Sequence, residues 1–352
     1  MEFIIDEFPG RSFTKDHKEL LYFGGTAYLG LQTLPEFQDI LIQNIKKYGT
    51  TYSASRKSNV KLEVYEKLEY ALKKFTGATA CTTLSSGYMA SQLVSNYIKG
   101  QHIHAFFAPH THPALHYITA NNYLDYVTFI RDVNQYINNH PSEEICIFCD
   151  SIDFNGKNYP NFFWLEEIQE KQNIILVIDD SHGIGIIGEH GNGIFPLITP
   201  TIFKDVIICG SLGKGFAIQG GAIWGSEEII NELTATPFFA GASPITPAMA
   251  STFLESATIY QQQFKKLRAN IQLFLENTIL EWFDGYMPDF PAFTFYDEQL
   301  LNTLLKHQII PTSFRYPFKD SPLTNRIVIS AHHTNDDILK LSQIIANKKG
   351  TL

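Results

Sequence analysis

The sequence predicts an α/β protein: a large domain built on a mostly parallel sheet flanked by helices, followed by a smaller α+β domain. Short apolar runs, several of them β-branched throughout, recur between residues 80 and 224, as strands buried on both faces require. Helical patterns separate these runs, which is the alternation of a parallel sheet with crossover helices. Near residue 251 the pattern changes, and helices then mix with short strands.

The first residues, to about 40, are expected to pack on the small domain or on a partner subunit. Residues 59–76, NVKLEVYEKLEYALKKFT, set Leu62, Tyr65, Leu68, Leu72 and Phe75 at spacings of three and four. That is one face of an amphipathic helix, and Gly77 is its stop. Strands are expected at ACTTL (80–84), HAFFA (104–108), YVTFI (126–130), ICIFC (145–149), IILVI (174–178), VIIC (206–209) and AIW (222–224). MASQLVSNYI, after the first of these, reads as a helix, and so do residues 251–281. The chain closes with HTNDDILKLSQII, where Thr334 and Asp337 resemble a capping box ahead of an amphipathic helix. The expected divisions are 1–40 for the N-terminal segment, 41–250 for the large domain and 251–352 for the small one.

The 352 residues are 44% hydrophobic and 18% charged, an ordinary globular composition. A net charge of −9, with no basic patch, argues against a nucleic-acid partner. No apolar run is long enough to span a bilayer, and MEFIIDEFPGRSF has no basic region leading into an apolar core. A soluble cytoplasmic protein is the expectation. Of the four cysteines, Cys146 and Cys149 form a C-x-x-C inside the apolar run ICIFC. Successive strand residues face opposite ways, so these side chains diverge and read as core thiols.

Two glycine motifs fail on context. GIGIIG at 183–188 satisfies G-x-G-x-x-G, yet Asp-Asp-Ser-His separates it from the strand, and EHGNGIFP cannot open a helix. Gly213-Lys214 suggests a P-loop, but Ile208 stands where that motif needs glycine and Gly215 where it needs Ser or Thr.

The polar residues just past the strand ends do form a set, at the edge where open α/β sheets bind ligands. After ACTTL comes Ser85-Ser86-Gly87-Tyr88, a turn that offers helix N-terminal N–H groups to an anion. PHTHPAL, with His110 and His112, follows HAFFA, and Asp150-Ser151 follows ICIFC. Asp179-Asp180-Ser181-His182 follows IILVI, and Gly210-Ser211-Leu212-Gly213-Lys214 follows VIIC. A metal reading of His110 and His112 lacks a third ligand at sensible spacing.

This set resembles the fold-type I pyridoxal-phosphate (PLP) enzymes, and within them the α-oxoamine synthases. DDSHGIGIIG matches their D-E-A-H-S-x-G-x-x-G, and SLGKGFAIQGG matches their lysine motif with Ala217 in place of one glycine. SSGYMA, AYLGL and NRIVISAHHTNDDI match further family segments, in the family's order along most of the chain.

The resemblance implies a large PLP-binding domain with a mixed, mostly parallel sheet. Lys214 would form the Schiff base with the PLP aldehyde, and crowding would keep its amine neutral and nucleophilic. Asp179 would pair with the protonated pyridine nitrogen and keep the ring an electron sink. His182 would sit near the phenolic oxygen. His112 would stack on the ring, with His110 and His116 as competitors for that place. Ser86, Gly87, Tyr88 and Ser211 would bind the phosphate, and Asp150 belongs to the same cofactor-facing edge. Ser243, in FFAGASPITP, resembles the residue that reaches the phosphate from a neighbouring subunit, so a homodimer is implied. Arg326 falls on the second arginine of R-x-R and would clamp the substrate carboxylate with its planar fork.

The chain departs from the pattern at Ala27, where the family has asparagine, at Thr324, the first arginine of R-x-R, and at Ala108, where it has aspartate. The segment around Ser55-Arg56 is also shorter. These positions touch substrate and acyl recognition more than cofactor binding. The leading expectation is decarboxylative condensation of a small amino acid with an acyl thioester, carried by CoA or by a carrier protein, to a 2-amino ketone. A second is transamination between an amino donor and a keto or aldehyde acceptor. A third is a non-catalytic relative that keeps the fold as a binding module.

Overall fold

A computed structural model describes residues 2–117, 123–198, 200–316 and 319–349. The chain divides into two compact units, one of residues 39–153 and 157–257, the other of residues 1–38, 154–156 and 258–352.

Along the chain, β1 (Ser12–Lys15) and β2 (Lys18–Phe23) form an antiparallel hairpin, and α1 (Pro35–Tyr48) follows. Helix α2 (Val64–Thr76) starts later than its periodicity suggests. It ends as expected at Gly77, whose φ of 77° lets its N–H close on the Lys73 carbonyl. Then come β3 (Ala80–Leu84), α3 (Gly87–Gly100) and β4 (His104–Phe107).

The expected strand YVTFI is instead the first turn and a half of helix α4 (Tyr126–Asn139). The Asp125 carboxylate caps it by accepting from the Thr128 N–H at 2.7 Å, and Phe129, Ile130, Val133 and Ile137 share the buried face. A five-residue apolar run reads alike in both periods, and the cap and the residues beyond decide it.

Strands β5 (Ile145–Asp150), β6 (Ile174–Asp179) and β7 (Asp205–Ser211) follow, then the single turn α5 (Leu212–Gly215) and β8 (Gly221–Gly225). Helices α6 (Glu227–Ala235), α7 (Pro237–Gly241) and α8 (Pro247–Glu255) each open on Ser226, Thr236 or Thr246, whose hydroxyl accepts a first-turn N–H. The sheet of this unit runs β3-β8-β7-β6-β5-β4. Strands β4 to β7 are parallel, and β8 is antiparallel to both its neighbours. The sheet is therefore mixed but mostly parallel. One face packs on α3 through Leu93, Val94 and Ile98, against Phe148, Val177 and Ile223. Cys146, Cys149 and Cys209 are fully buried in these strands, and burial pushes all three thiols well up.

The expected helix over 251–281 breaks at Ser256 into α8 and α9 (Ala257–Glu276). Beyond it lie β9 (Gly285–Tyr286), β10 (Ala292–Phe295), α10 (Glu298–Lys306), β11 (Ile309–Arg315), β12 (Leu323–Val328) and α11 (Asn335–Lys349). They complete a sheet of order β1-β2-β11-β12-β10-β9, in which β2 pairs with β11 in parallel. Thr334 and Asp337 form the reciprocal capping box of α11, with the Thr334 N–H on Oδ2 at 2.9 Å and the Asp337 N–H on Oγ1 at 3.3 Å. Arg11 grips the same carboxylate with two donors at 2.6 and 2.8 Å. Among the described residues no helix is long and apolar enough to cross a membrane.

Candidate active site

The parallel pairing of β5, β6 and β7 brings their last residues to one sheet edge, with Asp150 directly opposite Asp179. Asp179 is buried, with 7% exposure. Its Oδ1 accepts from the Ser181 N–H at 2.8 Å and its Oδ2 from the Ser91 hydroxyl at 3.2 Å. Asp150 accepts from the His112 N–H at 3.1 Å. Burial first, and then the neighbouring Asp179, push the Asp150 carboxyl well up.

Strand β7 delivers Lys214 on the turn α5, which Ser211 caps by accepting from the Gly213 N–H. Nζ of Lys214 lies 2.8 Å from Nε2 of His182. Burial lowers the lysine pKa, and Asp179 and Asp150 oppose that shift in part. The turn sits tightly because it is built from glycine: a Cβ on Gly215 would run into the Ile184 carbonyl, and one on Gly185 would lie 3.1 Å from the Gly215 Cα. The GIGIIG segment is thus a loop packed backbone-on-backbone against the lysine turn, not the start of a helix. Ala217, the departure from the glycine pattern, has a φ of 55°.

Of the three candidate histidines, His112 is the one pinned to a strand-end carboxylate. Its Nδ1 accepts from the Ala114 N–H at 3.1 Å, which puts the ring proton of the neutral form on Nε2. Burial lowers its pKa, with Asp179 raising it and Lys214 lowering it further. His110 is exposed, and His116 packs on the edge of Phe107.

The expected anion cradle falls at the N-terminus of α3. The Ser86 hydroxyl accepts from the Met89 N–H at 3.2 Å, while the N–H groups of Gly87 and Tyr88 come before the helix's internal ladder begins. A Cβ on Gly87 would lie 2.6 Å from the Cβ of Ser211, and one on Gly221 would strike the Ser86 carbonyl. The cradle, Ser211 and β8 can meet only because these positions carry no side chain. The Ser85 N–H donates to the Ser243 carbonyl at 3.1 Å within the same chain. The Tyr88 side chain is 59% exposed.

This donor set fits PLP: a half-buried amine of lowered pKa, a buried carboxylate held by two donors, an imidazole on the amine, and a helix N-terminus for a phosphate. Residues 23–277 match the family model for class I and II aminotransferases. The chain belongs to this family.

Among relatives of this aminotransferase-family chain is the 8-amino-7-oxononanoate synthase of Saccharophagus degradans, 27% identical over 94% of this chain and 87% of the relative. A serine palmitoyltransferase of Sphingobacterium spiritivorum is 27% identical over 69% of this chain and 62% of its own length. In fold, the serine palmitoyltransferase of S. paucimobilis, solved with PLP bound, superposes with a TM-score of 0.78 at 16% identity, over 98% of this chain and 92% of the other. These relatives bear out the α-oxoamine synthase resemblance.

Within this family member, sequence reasoning missed Ser91 and gave no role to Ser181, which it had placed in the polar set after IILVI. Ser91 holds Asp179, and the Ser181 hydroxyl accepts from the Ser211 N–H at 2.9 Å. A serine four residues past Gly87, on the buried face of α3, was the signal for the first. Arg56 proves to be tied down, with donors at 2.8 and 3.0 Å on the two Glu69 oxygens. Arg326 lies in the other unit, on β12.

Proposed function

We propose that this chain is a PLP-dependent transferase of the α-oxoamine synthase type, which condenses a small amino acid with an acyl thioester and releases carbon dioxide. The contact between Lys214 Nζ and His182 Nε2, beside the carboxylates of Asp179 and Asp150, carries the reading. PLP, when bound, supplies the electron sink for a carbanion at the amino acid Cα.

Lys214 anchors the cofactor and takes the Cα proton on Nζ; burial favours the neutral amine that this needs, against the pull of Asp179 and Asp150. His182 shares that proton's surroundings and orients Nζ. Asp179 holds the proton of the pyridine nitrogen, and Ser91 and Ser181 fix its two oxygens. His112 covers the ring face, kept in place by Asp150. Ser86, Gly87, Tyr88 and Ser211 hold the phosphate. The proposal gives Arg326 the substrate carboxylate: among the described residues no carboxylate pairs with it, and its Nε is buried without a hydrogen-bond partner. A homodimer that brings Ser243 to the partner's phosphate belongs to the proposal on the FFAGASPITP motif, and sedimentation tests it. A cytoplasmic location also belongs to it and agrees with four free thiols.

The test is to incubate the PLP-loaded protein with glycine, alanine or serine and acyl-CoAs of graded length. Release of free thiol together with carbon dioxide is the expected result, and no thiol from any pair would overturn the reading. Transfer of the amino group to a keto acid, without thiol release, would mark a transaminase.

A further inference from the structure

Residues 154–156 pack within the unit that contains residues 258–352. Phe154 holds a φ of 61°, where a bulky side chain is an outlier that persists only if its surroundings over-determine it. Those surroundings are specific. Its carbonyl accepts from the Thr294 hydroxyl at 3.4 Å, and Thr294 stands directly opposite Arg326 in the pairing of β10 with β12. A Cβ on Gly285 would lie 2.6 Å from the same carbonyl and 3.3 Å from the Thr294 Cβ, so β9 yields space to this contact. The ring meets Phe290 edge-on at 5.8 Å. Its face lies against Arg326, with the guanidinium carbon 3.5 Å from the ring centroid. A guanidinium held this close over a ring face has little room to turn, and its Nε is buried without a hydrogen-bond partner, which leaves that edge for a ligand.

We infer that Phe154 is the positioning residue of a carboxylate site at Arg326, its ring aligning the guanidinium for two-pronged binding before the amino acid arrives. The inference rests on the proposed function, which assigns Arg326 to the substrate carboxylate. The backbone at Phe154 is bent so that the ring reaches the arginine, and the anchors at Thr294 and Gly285 keep it there. Loss of the ring returns the arginine to its several rotamers, and each binding event must then freeze them.

The test uses the PLP-loaded protein and follows binding by the cofactor's absorbance. L-Alanine is compared with L-alaninamide, which lacks the carboxylate. F154A and F154L are expected to weaken alanine binding roughly tenfold and leave alaninamide unchanged, the loss of one desolvated cation–π contact. KM for the amino acid should rise more than kcat falls, and F154Y should restore both. R326A is the control. If R326A weakens alanine and neither Phe154 variant does, the inference is overturned while the role of Arg326 stands. If R326A has no effect on alanine, the carboxylate assignment itself is wrong and the inference falls with it. Equal weakening of alanine and alaninamide in F154L, which keeps the apolar volume, would make Phe154 a packing residue only.

Discussion

At His333 the packing decides the proton. The ring is buried and stacked on Phe23 at 3.9 Å, Nδ1 accepts from the Ser330 N–H at 3.0 Å, and Nε2 donates to the Tyr22 carbonyl at 3.0 Å. Burial lowers its pKa to about 4. The unfolded chain takes up this proton near pH 6.5 and the folded one does not, so the stability it contributes is present above pH 6.5 and lost as pH falls toward 4. The loss is about 3 kcal/mol, read by denaturant unfolding across that range, and H333Q should flatten the profile. An unchanged profile would remove this histidine as the cause. The histidine was legible as part of the SAHHT motif, but its structural role was not, because neither Phe23 nor Tyr22 is near it in sequence. Asp179 was legible, since a carboxylate at a strand end before D-x-x-H chemistry is a local pattern. The hydroxyl of Ser91 that steadies it comes from another element, and only the packing of α3 on β6 and β7 reveals it.

The element to which the proposed function gives the chemistry is the turn α5 with the loops around it, and it depends on glycine contacts. G87A should push the N-terminus of α3 off Ser211, because the clash falls on backbone and cannot be relieved by a rotamer. The expected cost is about 1–3 kcal/mol of stability with weaker PLP binding, read by thermal melting and absorbance titration. The opposite holds at Ala217. With a φ of 55° it carries a strain that glycine does not, so A217G should gain about 0.5–1 kcal/mol in denaturant unfolding. Most strands were legible here because both-face burial gives short continuous apolar runs. The exception, α4, shows the limit: YVTFI is apolar in either period, and Asp125 with the spacing Phe129, Val133, Ile137 held the answer.

At the scale of the whole molecule, the N-terminal hairpin forms one edge of the sheet whose other edge is β9. Strand β2 lies beside β11, with Ile309 opposite Leu21, and Arg11 grips Asp337 at the start of α11. A chain lacking residues 1–23 would present β11 as a bare edge and lose that grip. It should elute as aggregate in gel filtration rather than at native size, and native elution would argue that the hairpin is dispensable. No local signal marked this pairing, because strands 288 residues apart share only their place in the fold. The buried cysteines have a practical outcome. With Cys146, Cys149 and Cys209 sealed within the strands, the half-buried Cys81 is the one thiol that the folded chain leaves to a chromogenic disulfide reagent. In the thiol-release test of the proposed function, colour beyond what Cys81 gives would then count product rather than protein, and a rising blank without substrate becomes a direct gauge of how much of the sample has unfolded.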